Sequence, residues 1–182
     1  MMRHAASLTP SAWVTRFAPL IAAGGEVLDL ACGSGRHARW LAGRGYRVEA
    51  VDRDAVALEL LATVPHVTTR EADLEAGDWP YGDRRFDGVV VTNYLFRPRF
   101  NLLLAALNPG GVLLYETFML GNERFGKPSN PEFLLRSHEL IERVAGACTI
   151  LAYEQGEVSE PKPAVIQRIC AVKGHNPVVR LP

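Results

Sequence analysis

The chain has three cysteines, Cys32, Cys148 and Cys170, and no two of them form a C-x-x-C pair. That spacing argues against a zinc site or a disulfide framework and points to a reducing, cytoplasmic setting. Charge of one sign is lacking too. Twenty Lys and Arg balance twenty Asp and Glu, so no global field draws the protein to nucleic acid or to an anionic membrane. Arg36, His37, Arg39, Arg44 and Arg47 leave a local basic face open, with a solvated helix surface as the preferred reading. No segment approaches the ~20 apolar residues that span a bilayer. The N-terminal "MMRHAASLTPSAW" has no apolar run of signal-peptide length, and no repeat or low-complexity tract interrupts the chain. His4, His66, His138 and His175 fall in no ligand spacing, so no metal is expected.

With 182 residues, of which 48% are hydrophobic, the chain is long enough for one well-packed core, and residues 1–182 are read as a single domain. After an N-terminal helix around "PSAWVTRFAPLIAA", short β-rich runs alternate with helical patterns, as in a parallel sheet with crossover helices. Strands are expected at "EVLDLA", "YRVEAVD", "HVTTREAD", "FDGVVVTN" and "GVLLYETF". Helices are expected at "GRHARWLAG", at "DAVALELLAT" with Asp54 as N-cap, and at "RPRFNLLLAAL", stopped by "NPGG". Val89, Val90 and Val91 are apolar on both faces, which suits a central strand covered on each side. The fold class is therefore α/β, a doubly wound, mostly parallel sheet. In the tail, "SHELIERVAG" reads as a further helix with Gly146 as its left-handed stop. "CTILAYEQGE" and "AVIQRICAVK", separated only by "VSEPKP", read as an antiparallel hairpin at one edge.

Gly33, Gly35 and Ala38 fit G-x-G-x-x-A directly after a strand, and Asp52 ends the next strand. This pattern supports an adenosine-bearing cofactor without saying which. Glycines let the backbone approach the ligand, helix amides favour an anionic group, and Asp52 can accept both ribose hydroxyls. Two further carboxylates discriminate. Asp29, before the glycines, favours a ligand with a cationic amino group over a pyrophosphate. Asp73, just past the third strand, is placed to accept from an adenine amino group while Leu74 packs on the ring; an ordinary turn carboxylate is the alternative.

"VLDLACGSGRHARWLAGRGYRVEAVDRD", "EADLEAGDWP", "FDGVVVTNYLF" and "LNPGGVLLYETF", in that order, resemble the class I S-adenosylmethionine-dependent methyltransferases from the first strand through the fifth. The small size and compact tail also resemble the branch that includes the tellurite-resistance-type enzymes. The resemblance implies the Rossmann-like methyltransferase fold and S-adenosylmethionine as cofactor. It implies that Ala31 to Gly35 border the methionine part, with Asp29 aiding its amino end and His37 beside its carboxylate or turned to solvent. Asp52 then holds the ribose, Arg53 lies beside the adenine, Asp73 and Leu74 recognise it, and Thr92 and Asn93 close the site. Ala31 departs from the family, many members of which have a first glycine there.

A sulfonium methyl donor carries its own leaving group, so the protein mostly positions the reactants for in-line displacement. Asn93, Tyr94 and Glu116 are the catalytic candidates. Asn93 and Tyr94 occupy the place of an Asn-led motif, although "NYLF" lacks its paired prolines, and a half-buried packing role is the alternative for Tyr94. Glu116 is a base or a substrate anchor, or else a salt-bridge partner of an arginine such as Arg97. The loop "FMLGNERFGKPSNPEF" is read as a substrate lid, with Asn122, Glu123 and Arg124 reaching inward from hinges at Gly121 and Gly126, or else as a solvent loop. Trp13 and Arg16 are candidates for the opposite wall, with Trp13 read in preference as core. Absence of an appended recognition domain and of net basic charge favours a small-molecule acceptor, with oligomeric state open. A nicotinamide-dependent oxidoreductase, a binding protein without turnover, and an RNA-modifying methyltransferase needing a partner are the alternatives.

Overall fold

The computed structural model describes residues 8–175 and 177–182; His4 lies outside them. The apolar faces of the strands demand cover on both sides, and the helices divide accordingly. Strands β1 (Glu26–Leu30), β2 (Arg47–Asp52), β3 (Val67–Glu71), β4 (Phe86–Thr92), β5 (Leu107–Phe118), β6 (Cys148–Val158) and β7 (Ala164–Lys173) form one sheet in the order β3-β2-β1-β4-β5-β7-β6. The first five pair in parallel; β7 pairs antiparallel with both β5 and β6.

Side chains alternate across this sheet as the strand period requires. Leu28, Leu30, Val89, Val91, Leu113 and Tyr115 face helices α4 (Phe100–Ala105) and α5 (Glu139–Val144). Val27, Val48, Val90, Val112 and Leu114 face α1 (Ala12–Phe17), α2 (Arg36–Ala42) and α3 (Ala55–Glu59). Trp13 of α1 belongs to this second core, 2% exposed, with its indole N–H donating to the Ile169 carbonyl at 3.1 Å. Asp54 caps α3 by accepting from the Ala57 N–H.

The structure corrects several local expectations. Glycines 110 and 111 do not separate a helix from a strand; the "NPGG" segment lies within β5, where pairing jumps from Phe86↔Leu107 to Gly88↔Val112. Gly146 has no positive φ, and α5 ends on Ala145 in the right-handed region, while the left-handed residue is His138 at its start, φ 61°. The C-terminal hairpin does form one edge of the sheet as expected, with β7 against β5 and β6 outermost. Among the described residues, no helix is long and apolar enough to cross a membrane.

One buried charge cluster fixes the far face. Glu139, at the start of α5 and fully buried, accepts from Arg97 at 2.7 and 2.9 Å, from Arg143 at 2.7 and 2.9 Å, and from the Arg136 N–H at 2.9 Å. Burial alone pushes its carboxyl up, but the Arg97 hydrogen bond, then those from Arg136 and Arg143, outweigh it and hold the group at about 2. Its stabilisation is therefore complete above the ordinary value of 4.5 and is lost as pH falls from there toward 2. Replacing Glu139 with Gln leaves the arginines without their common anion. It should cost about 3 kcal/mol at pH 7 in denaturant titrations, with the deficit shrinking below pH ~4.5.

Candidate active site

Strand order reverses between β1 and β4, and the loops after both strands open a crevice at the carboxyl edge. The turn after β1 has three left-handed residues, Ala31 (φ 53°), Gly33 (φ 54°) and Gly35 (φ 76°). Gly35 is required for packing: a Cβ there would lie 2.4 Å from two methyls of Leu61. A Cβ at Gly33 meets nothing within 4 Å, so it projects into open space. Ala31 adopts the first glycine's conformation at the ordinary cost to an L-residue, about 1–2 kcal/mol.

Carboxylates fix this turn from two sides. Asp52 Oδ2 accepts from the Gly33 N–H at 2.8 Å and Oδ1 from the Asp54 N–H at 3.0 Å. Asp29 lies beneath the turn, 1% exposed, its Oδ2 accepting from the Ala38 N–H at 2.9 Å. Burial pushes its carboxyl up to about 7 against the pull of Ala38 and Arg36, with Asp52 adding to the rise. His37 does not reach solvent. It is 1% exposed, accepts the Ser11 N–H on Nε2 at 3.1 Å and meets Thr92 Oγ1 with Nδ1 at 3.4 Å. Burial, reinforced by Arg36, pushes the imidazole down to about 3.

Beside the turn is a pocket of about 240 Å³ that gathers Ala31, Asp52, Arg53, Asp73, Leu74, Asn93 and Tyr94. Asp73 is both a wall residue and a turn carboxylate, its Oδ1 accepting from Glu75 and Ala76 N–H groups at 2.8 and 3.1 Å, which hold the carboxyl below its usual range. Tyr94 lines this smaller pocket and not the larger cavity described below. Burial raises its phenol well above the ordinary value.

A second cavity, about 610 Å³, lies across Asn93, which lines both. Asn93 is left-handed, φ 56°, and its N–H donates to the Glu116 carbonyl at 2.9 Å. Glu116 faces this cavity, with Oε1 accepting from Ser11 Oγ at 2.8 Å and Oε2 from Arg168 at 3.2 Å. Its arginine partner is thus Arg168 and not Arg97, which is taken by Glu139.

The lid residues do not reach inward. Asn122 is 2% exposed and tied to the Val165 N–H and the Pro128 carbonyl, Glu123 accepts from the Gly121 N–H, and Arg124 pairs with Glu157. The wall instead comes from the β6–β7 connection, including Val158, Pro161 and Lys162, and from Thr9 to Ala12. Sequence reasoning missed both, as it missed Arg168. Their clue was the pairing of a long C-terminal hairpin with the strand that carries Glu116. Arg16 does not line this cavity.

The residues fit S-adenosylmethionine. A carboxylate at a strand end suits a ribose, open space at Gly33 admits close approach, and Asp29 is a buried carboxyl beneath the turn whose ionised form an ammonium would favour. A sequence profile described as a methyltransferase domain matches residues 2–142, and the chain belongs to that family. The family is one of S-adenosylmethionine-dependent enzymes.

Solved structures share the fold. TehB from Haemophilus influenzae superposes with a TM-score of 0.75 at 23% identity over 91% of this chain; the chain spans 63% of TehB's length. An S-adenosylmethionine-dependent methyltransferase from Methanosarcina mazei gives 0.70 at 17% identity, covering 91% of this chain and 98% of that one. A TehB-like methyltransferase from Corynebacterium glutamicum gives 0.65 at 17%, covering 89% and 87%. No curated protein matches the chain in sequence.

The two glycines should separate in experiment. Gly35→Ala should lower stability by about 3 kcal/mol through backbone strain and overpacking. Gly33→Ala should cost about 1 kcal/mol of stability yet weaken binding of S-adenosylhomocysteine about tenfold. Wild-type affinity in Gly33→Ala would reduce the turn to a folding device.

Proposed function

We propose that this chain, acting as one domain, transfers a methyl group from S-adenosylmethionine to a small molecule held in the larger cavity. The observation that carries this reading is Asn93, a left-handed residue on the wall of both the smaller and the larger cavity. Methyl transfer needs donor and acceptor in line across a short gap, and proximity of that kind lowers the barrier by several kcal/mol.

S-adenosylmethionine, when bound, supplies a methyl on a sulfonium whose positive charge vanishes on transfer. Asp52 holds the ribose hydroxyls, Asp73 and Leu74 the adenine, with Arg53 beside it. The Ala31–Gly35 backbone borders the methionine part, and Thr92 and Asn93 close the cofactor's side. His37 stays neutral and positions Ser11 and Thr92. Glu116 meets the acceptor. The cytoplasm suits three buried free cysteines.

The oxidoreductase alternative gives way to the family assignment. An RNA acceptor is not favoured, because the chain has no net basic charge, with twenty Lys and Arg against twenty Asp and Glu.

Calorimetry against S-adenosylmethionine, S-adenosylhomocysteine and the nicotinamide dinucleotides tests the cofactor. The first two should bind, and Asp52→Ala should weaken them by about 3 kcal/mol, on the order of a hundredfold. Binding of a dinucleotide alone would overturn the reading. Asp29 adds a proton signature. A carboxyl near 7 is partly protonated at neutral pH, and a nearby ammonium lowers its pKa. Cofactor binding at pH 7 should then release about half a proton, read as different heats in phosphate and Tris buffers, and Asp29→Asn should abolish the difference.

A further inference from the structure

The larger cavity has a distribution of chemistry that narrows the acceptor. Its floor is one face of the antiparallel part of the sheet. Register pairs Glu116 with Arg168 and Phe118 with Ile166, so along β5 and β7 the charged pair lies inward beside Asn93 and the apolar pair lies outward. Val158 and Ala164, paired across β6 and β7, extend the apolar part. Pro10 and Pro161 add apolar wall without N–H donors.

The charges that β5, β6 and β7 bring to the inner end are already paired with one another. Arg168 lies between Glu116 and Glu154, two carboxylates to one guanidinium, and covers the Trp13 ring at 4.9 Å. Such a cluster offers an anionic acceptor of hydrogen bonds and no free cation for an anionic group. At the outer rim Glu160 and Lys162 bring one charge of each sign, and among the described residues neither is in an ion pair. Arg36, at the glycine turn, also lines this cavity and is in no ion pair among the described residues.

We propose that the acceptor is a largely apolar molecule of ring size or larger whose nucleophile is a protic heteroatom, a hydroxyl, thiol or amine, presented to Glu116. The apolar body rests on Phe118, Ile166 and Val158. The heteroatom forms the new bond to the methyl carbon, the carbon–sulfur bond breaks with its pair remaining on sulfur, and the heteroatom's proton passes to the Glu116 carboxylate. Ser11 and Arg168 are positioning residues, holding one carboxylate oxygen each while further lone pairs face the cavity. A cavity of about 610 Å³ lies within the range that encloses compounds of this kind. This inference rests on the methyltransferase reading.

The test is a binding measurement on the full chain, free and saturated with S-adenosylhomocysteine, using three probes: 2-naphthol, its methyl ether, and glucose 6-phosphate. 2-Naphthol should bind about tenfold tighter than the ether, the gap expected for one hydrogen bond to a charged group, and the sugar phosphate, which has no apolar body, should bind weakest. Glu116→Gln should bring the first two within about threefold of each other. Phe118→Ala should weaken both by a similar factor, about tenfold, and leave their ratio intact. Thermal melting confirms that each variant is folded, and Ile166→Ala serves in place of Phe118→Ala if that variant fails to fold. If S-adenosylhomocysteine does not bind, the cofactor reading fails, while the naphthalene pair on the free chain still decides the cavity's preference. If it binds and 2-naphthol does not, or binds no tighter than its ether, or the sugar phosphate binds best, the proposed acceptor class is overturned.

Discussion

The register of three strands is the constraint from which the site follows. Thr92 of β4 lies opposite Glu116 of β5, and Glu116 lies opposite Arg168 of β7. Because side chains alternate with period two, a slip of one residue would turn Glu116 into the core and bring Tyr115 or Thr117 to the cavity. The register is held because those neighbours belong inside: Tyr115 is 1% exposed, stacks on Phe100 and donates to the Tyr94 carbonyl at 2.7 Å. The same pairing sets Asn93 in place, since its N–H donates to the Glu116 carbonyl just beyond the end of β4. Core packing on one face of β5 thus fixes a carboxylate on the other.

Ser11 connects this row to the cofactor's side. Its N–H meets His37, its hydroxyl meets Glu116, and it caps α1 by accepting from the Trp13 N–H. His37 can accept from that N–H because burial keeps it neutral; a protonated ring would have no lone pair to offer. Asp29, beneath the same turn, is also driven toward its neutral form by burial. The two groups are pushed in opposite directions on the pH scale by one cause, desolvation. The consequence differs for each: the histidine is fixed in one state across ordinary pH, while the carboxyl is left where an arriving cation can discharge its proton.

The parallel half of the fold was legible because its information is local. Val89 to Val91, the glycine turn and Asp52 each announce their place within a few residues, and the loops of a parallel sheet must fall at its carboxyl edge. Strand ends were less legible. "NPGG" carries every mark of a turn, yet pairing with Phe86 draws it into β5. The acceptor side was read poorly for a different reason. Polar residues in a glycine-flanked loop suggest a lid, but Asn122 is spent on the Val165 N–H and the Pro128 carbonyl, a role set by partners more than forty residues away in one case. Arg168 and Val158 are ordinary strand residues until β7 is known to pair with β5. Glu116 was identifiable, and its partner was not, since Arg97 is close in sequence but is claimed by the buried Glu139.

This division has a physical basis in how the two halves of the sheet are built. Crossover helices and the glycine turn constrain the parallel strands tightly, and a cofactor that carries its own reactivity asks only for fixed contacts there. Strand β5, which pairs in parallel with β4, and the antiparallel β6 and β7 run 12, 11 and 10 residues, against 5 to 7 for β1 to β4. Their excess length carries Phe118, Val158 and Ala164 past the parallel edge, where no crossover helix covers them and the segment from Thr9 to Ala12 closes over the face instead. Residues on that projecting face can change without disturbing the glycine turn, because hairpin pairing is maintained by backbone hydrogen bonds and by the opposite, buried face. In the proposed reading the fold separates the part that would hold the methyl donor from the part that would select what receives it, with Asn93 lining both cavities.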